Sequence, residues 1–354
     1  MFSGTTKHTI MKDSKIEWTD DTENIIEVEG GGFYCVKVSR GCKHCYAETF
    51  NKRLCGMKHV QAYPYKHLPE PPKLALRQDR IDGWARQKRG RKKFVSSMTD
   101  VFGEFVPVEW CYKILDGMVA ASQHIFQVLT KRAARMKMIV NDYCQARGIE
   151  ELPQHIWLMV SVEDQDAVSR VRDLVATRCA IRGLSVEPLV GDVNLCMSAD
   201  FQVWQQGQFR NMYDSKLIKF IHWVIVGGES GMKAEPMKPT WVYSLKKQCE
   251  MYDVPFFYKQ WGEWVGGMLD MNKGKVMLED GGLFYTNPGH PPVHDWKEPV
   301  PGNEHYRMVS ARVGKKVRTL YSMAEPKERP SDNALLGGFT QGKHYFNFPK
   351  YLSK

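Results

Sequence analysis

Three cysteines, Cys35, Cys42 and Cys45, stand in the run Cys-Val-Lys-Val-Ser-Arg-Gly-Cys-Lys-His-Cys, a C-x6-C-x2-C spacing. Thiolates gathered on one loop are metal ligands by chemistry. On a four-iron cluster, three of them leave one iron open to a substrate or cofactor. A structural zinc site would need a fourth ligand, and His44, Cys55 and His59 are the candidates nearby in sequence. A chance grouping of buried thiols is the remaining reading. Gly41 would let the loop fold back on itself. The other cysteines (Cys55, Cys111, Cys144, Cys179, Cys196 and Cys249) are scattered singly, and the total of nine is odd. That is no disulfide framework, and it predicts a reducing compartment.

A second pattern recurs along the chain. Short apolar runs stop at small polar or charged residues, and a helical stretch follows. The runs are residues 33–38, 94–95, 125–129, 156–160, 181–184, 223–226 and 254–258. Helices are expected over residues 109–122, 133–147, 166–177 and 240–252. Near-continuous apolar strands alternating with helices predict a parallel sheet covered on its faces. Seven of them predict an α/β fold with a full or partial (β/α) barrel. Ligands of such folds bind at the C-terminal ends of the strands. Glu163, Glu187 and Glu229 recur at the same point after three of these runs, so they are expected to face one pocket. Lys131 and Lys259 occupy equivalent places. They would meet a phosphate or carboxylate, or form salt bridges with these glutamates.

Length fits one large domain with an appendage: the chain has 354 residues, 43% of them hydrophobic. The expected division is an N-terminal extension at 1–30, a barrel domain at 31–265 and an irregular cap or module at 266–354. Residues 196–219 are an insertion between the fifth and sixth strands. Trp296, Tyr306, Phe346 and Phe348 give the tail apolar surface with which to dock. No apolar run approaches the roughly 20 residues that span a bilayer, and no signal-peptide pattern opens the chain. A cytoplasmic protein with no membrane partner is expected. The net charge is +10, and Arg86, Lys88, Arg89, Arg91, Lys92 and Lys93 fall together. Such a run is either a solvated loop or a surface for a polyanion, most commonly nucleic acid.

Several ordered motifs resemble the phage-type three-cysteine-motif family. They are Lys15-Ile16-Glu17-Trp18-Thr19-Asp20, Lys37-Val38-Ser39-Arg40-Gly41-Cys42, Cys45-Tyr46-Ala47-Glu48 and Ser97-Met98-Thr99-Asp100-Val101-Phe102. Further along come Gln127-Val128-Leu129-Thr130-Lys131-Arg132, Val160-Ser161-Val162-Glu163, Leu184-Ser185-Val186-Glu187-Pro188-Leu189, the run 224–231 and Phe256-Phe257-Tyr258-Lys259-Gln260-Trp261-Gly262. Together they cover roughly residues 15–265, with Gly314-Lys315-Lys316 as a weaker match. The family is similar to radical-SAM enzymes, whose usual spacing is C-x3-C-x2-C. The first interval here is six, and His44 takes the place of the aromatic before the last cysteine. Glu235-Pro236-Met237 stands where the family usually has Arg-Pro-Met.

The resemblance implies a radical-SAM/TIM type of barrel and a [4Fe-4S] cluster on Cys35, Cys42 and Cys45. It also implies S-adenosyl-L-methionine, reductively cleaved to a 5′-deoxyadenosyl radical that abstracts hydrogen. Cofactor contacts are then expected from Tyr46, Ser161, Glu163, Ser185, Glu187, Gly227, Gly228 and Glu229. Asp100, Lys131 and Lys259 are the candidate catalytic residues. The expected partners are a nucleic acid or nucleotide substrate, modified or repaired at a base, and an electron-donor protein. Two other readings stand beside this one. The first is a zinc-stabilised nucleic-acid-binding protein without redox chemistry. The second is a barrel hydrolase using Glu163 and Glu187 with a divalent metal.

Overall fold

A computed structural model describes residues 14, 16, 18–231, 233–260 and 262, together with five short strands from Gly274–Met277 to Tyr321–Met323. In chain order the elements are β1 (Asp21–Glu23), β2 (Ile26–Val28), α1 (Tyr46–Met57), β3 (Leu74–Leu76), α2 (Gln78–Arg86) and β4 (Lys92–Val95). Next come α3 (Val108–Ala120), β5 (Ile125–Thr130), α4 (Ala133–Arg147), β6 (Leu152–Ser161), α5 (Ser169–Val175) and β7 (Cys179–Val186). They are followed by β8 (Ser198–Gln205), β9 (Gln208–Lys216), β10 (Trp223–Gly227), α6 (Pro239–Met251) and β11 (Phe256–Gln260).

Seven strands form one sheet in the order β1-β4-β5-β6-β7-β10-β11. Every pairing in it is parallel. The fold is therefore mixed α/β, with a seven-stranded parallel half-barrel. The curl follows from the side chains. β4 and β10 stand four strand spacings apart, about 19 Å if the sheet were flat. Yet the Trp18 ring lies 4.7 Å from that of Phe94 on β4 and 6.2 Å from that of Trp223 on β10. Only a concave sheet lets one indole meet both.

Period-2 alternation sends successive residues to opposite faces. Outward go Phe126 and Val128, Leu158 and Val160, Leu184 and Val186, and Val224 and Val226. They join the main core with α2 to α6. Inward go Phe94, Trp157, Met159, Ile181, Trp223, Ile225 and Phe257, a second, largely aromatic core closed by Trp18. Gly183 belongs to this layer, and a Cβ there would come within 3.0 Å of Met159.

The first strand differs from expectation. Residues 33–38 make no sheet pairing, and the edge position belongs to Asp21–Glu23. The backbone at 33–38 is extended but satisfied by side chains. Asn51 bonds both the N–H and the carbonyl of Phe33 at 2.9 Å, Thr99 donates to the Tyr34 carbonyl, and Arg132 donates to that of Val36 at 2.7 Å. The charged edge strand is held by Lys93, which is fully buried and bridges Asp21 at 3.1 Å and Glu23 at 2.8 Å. The sheet thus reaches into the segment expected as an N-terminal extension. The insertion at 196–219 is an antiparallel hairpin, β8 with β9, packed on α5. Trp296, Phe346 and Phe348 lie outside the described residues, and Tyr306 falls in a short strand. Among the described residues, no helix is long and apolar enough to cross a membrane.

Candidate functional site

Inward-facing residues change character along the height of the sheet. Below they are Trp157, Trp223 and Phe257. At the C-terminal ends they become Ser161, Ser185, Gly227 and Lys259. Ser161 and Ser185 are paired in register across β6 and β7. A Cβ on Gly227 would collide with the Glu187 carboxylate, so the missing side chain is what gives that carboxylate its place. Glu187 is then met by the Ser185 hydroxyl at 3.1 Å and the Lys259 ammonium at 2.9 Å. Above this layer is a cavity of about 520 Å³, within the range of small-molecule sites.

The cysteine loop forms the opposite wall. Cys42 ends a single 3-10 turn, Arg40–Cys42, and Cys45 is the N-cap of α1. Cys35, Cys42 and Cys45 all line the cavity as free thiols. Gly41 does not adopt a left-handed turn here. It allows close approach, since a Cβ would stand 3.2 Å from both Glu163 and Pro188. Ion pairs tie the loop down. Lys37 meets Glu48 at 2.7 Å, Arg40 and Lys43 meet Glu235 at 2.5 and 3.4 Å, and His44 Nδ1 meets Glu229 at 3.2 Å. Glu235 is thus matched by two cations on the cysteine loop. Burial pushes the Cys35 thiol up to about 12; Asp100 adds to the effect and Arg132 opposes it. Burial also raises Cys45, against the pull of the Glu48 and Ala47 backbone N–H groups at the start of α1.

The three glutamates do not share one fate. Glu187 and Glu229 line the cavity. Glu163 lies outside its wall, 1% exposed, bridged by Arg170 at 2.7 Å and Lys131 at 3.6 Å. Burial alone would raise its pKa, but the Lys131 and Arg170 charges outweigh burial and hold it at about 2. Glu163 therefore braces the wall through these ion pairs and is not one of the residues that line the cavity. Asp100 lines the cavity but spends its oxygens on the chain. It accepts from Thr130 at 2.7 and 2.9 Å, Phe102 N at 3.0 Å, and Lys131 N and Arg132 Nη1 at 3.1 Å. Arg132 in turn holds the Val36 carbonyl beside Cys35. Both lysines line the cavity, each already paired with a glutamate. Tyr46 stands at the mouth and donates to the Ser97 carbonyl at 3.3 Å, and Gly228 completes the rim.

Trp18, Ser96 and Arg132 were not singled out from the sequence. Ser96 follows a strand end as Ser161 and Ser185 do, and that position was the available signal. Of the zinc candidates, His44 lines the cavity, Cys55 packs against Asn51 and Gly32, and His59 is exposed beyond α1. The basic run is divided. Arg91, Lys92 and Lys93 pair with Asp20, Asp21 and Glu23, whereas Arg86, Lys88 and Arg89 are exposed.

Among the described residues, no set of three or more His, Cys, Asp or Glu side chains is arranged to hold a metal ion. The donor chemistry nevertheless fits a three-cysteine centre. Three free thiols border one cavity, and their charges act on one another. Burial favours the protonated form of Cys35 and Cys45, so any metal held there would have to displace those protons. No curated protein and no solved structure matches the chain. A family model described as Protein of unknown function (DUF5131) matches residues 13–318, and the chain belongs to that family.

Proposed function

We propose that the protein is a radical-SAM-like iron–sulfur enzyme that modifies or repairs a nucleobase, nucleotide or nucleic acid by hydrogen abstraction. The observation that carries this reading is the meeting of three free thiols with the carboxylates of Asp100, Glu187 and Glu229 in one cavity, at the C-terminal ends of a parallel half-barrel. In this reading the half-barrel is of the radical-SAM type. Cys35, Cys42 and Cys45 would hold the [4Fe-4S] cluster, and an electron-donor protein would be its reductant. With S-adenosyl-L-methionine bound, the cluster supplies one-electron chemistry able to act on an unactivated C–H bond.

The chain's own residues bind, orient and exclude water. Glu187 and Glu229 are acceptors for an ammonium or for hydroxyls, and Lys259 is a donor to a carboxylate. Ser161 and Ser185 offer hydroxyls without bulk. Gly228 brings backbone to the rim. The aromatic floor beneath keeps solvent from the reacting groups. Asp100 acts through Arg132 and the Val36 carbonyl to fix the chain at Cys35.

Anaerobic iron, sulfide and zinc analysis is the test, run on the wild type beside the C35S/C42S/C45S variant. The expected result is iron and sulfide near four each per chain in the wild type and none in the variant. Equal iron in both proteins would sink the proposal. About one zinc per chain without iron would favour the zinc reading, with His44 the cavity-lining candidate for the fourth ligand.

A further inference from the structure

Helix α1 is amphipathic in reverse. Its buried side is made by Ala47, Asn51 and Cys55, two small residues and a polar one. Three large apolar side chains face solvent instead: Tyr46 is 56% exposed, Phe50 49% and Met57 69%. With Arg53 they follow spacings of four, three and four residues, and so share one face of the helix. Scattered exposed apolar residues need no explanation, but several aligned on one face mark an interaction site.

Charge and position say what that face meets. Residues 37–73 hold eight Lys or Arg and two Glu, and so carry six of the chain's ten net positive charges. Lys52, Arg53 and Lys58 on α1 and Lys43 just before it are exposed. Lys43 and Lys52 hold ion pairs at 3.4 and 3.3 Å, but surface pairs of this kind are weak and another anion can replace them. Arg86, Lys88 and Arg89 are exposed too, yet no exposed aromatic residue stands among them. The stripe also begins at the cavity, which Tyr46 lines while its hydroxyl is donated to the Ser97 carbonyl.

We propose that the exposed face of α1 binds single-stranded nucleic acid, with Tyr46 and Phe50 stacking on bases, Arg53 and its basic neighbours meeting phosphates, and the strand running toward the cavity mouth. An acidic protein surface would answer the cations alone, and an apolar one the rings alone. An unpaired strand answers both, because its bases have free faces and its backbone is anionic. In a duplex those faces are already stacked, so the rings select single strand over double. The inference rests on the proposed function for its setting, and it deepens that reading by choosing a single strand over a duplex or a free nucleotide as substrate.

The test is fluorescence anisotropy of a fluorescein-labelled oligothymidine of about 12 nucleotides, a length typical of single-strand sites, titrated with the full chain as purified. Its duplex with the complementary strand is the second probe. The single strand is expected to bind more tightly than the duplex. Phe50→Ala should weaken single-strand binding about 5- to 100-fold, the loss of one stacked base, and leave stability nearly unchanged because the side chain is exposed. Arg53→Gln should make the salt dependence of log K shallower by about 0.7, one single-strand phosphate. Tyr213→Ala removes a ring on β9 that is 72% exposed and should leave binding unchanged. Equal affinity for strand and duplex, unchanged binding in Phe50→Ala, an equal loss in Tyr213→Ala, or no binding of either probe overturns the proposal. Sedimentation equilibrium covers a second copy as occupant: a wild-type dimer that Phe50→Ala dissociates would also overturn it. The assay needs no cluster, so its failure and the failure of the iron analysis are separate events.

Discussion

On the outer face of the half-barrel, Val, Leu and Ile side chains meet five helices and leave no room. On the inner face, among the described residues, the same strands pack aromatic rings against one another and against Trp18. Its lower half is closed by aromatic rings around Trp18, and its upper half stops at serines, a glycine and a lysine. The cysteine loop bridges the gap from the far side without filling it. Alternate residues of one strand therefore serve two ends. One set makes stability on the outside. The other passes from stability to chemistry within two or three residues, as from Trp157 through Met159 to Ser161.

Substitutions along the inner face should expose that gradient. Trp223→Ala, at the floor, is expected to lower unfolding free energy by about 3–5 kcal/mol. Ser161→Ala, at the rim of the same face, should change it by less than about 1 kcal/mol. Denaturant unfolding of both variants makes the comparison, and equal losses would mean that the rim is ordinary core.

Glu163 tests whether a strand-end carboxylate outside the cavity wall behaves as a structural ion. In the unfolded chain it titrates near 4.5, and in the native state near about 2. The stability it contributes is complete above about pH 4.5 and is lost as pH falls toward 2. That difference corresponds to about 3 kcal/mol. Glu163→Gln should be less stable at neutral pH and show a flatter acid limb in urea titrations between those values. An unchanged limb would remove the bracing role.

A smaller effect than that of Glu163→Gln is expected at the cysteine loop itself. Gly41→Ala adds a methyl 3.2 Å from Glu163 and Pro188. The strain should cost about 1 kcal/mol and displace the loop. Faster alkylation of Cys42 at unchanged denaturant would register the movement. A rate equal to wild type would show that the loop yields without shifting.

Much of this architecture was legible from residue order alone. Six of the seven expected strands lie in the sheet, and α4 runs over the expected residues 133–147. The polar residues ending each apolar run mark the cavity. The edge strand was hidden because Asp-Thr-Glu has little strand propensity; it is recruited by Lys93 and Arg91, about seventy residues away. Residues 33–38 looked like a strand for the opposite reason: they are apolar and β-branched, yet their backbone is bonded to Asn51, Thr99 and Arg132. Glu163 could not be told from Glu187, because Arg170, which claims it, acts only through the return of α5 onto β6. The salt bridges of Lys131 and Lys259 were foreseeable as a type, though which carboxylate each would take was not.

The contact between Lys259 and Glu187 at 2.9 Å carries a consequence for whatever enters. Opposite charges held side by side in a confined space form a template with zero net charge. A guest bearing both an ammonium and a carboxylate can exchange partners with them and leave no ion stranded. A guest of single charge would have to abandon one member of the pair. By charge balance alone, this contact would favour a zwitterion over a simple anion or cation.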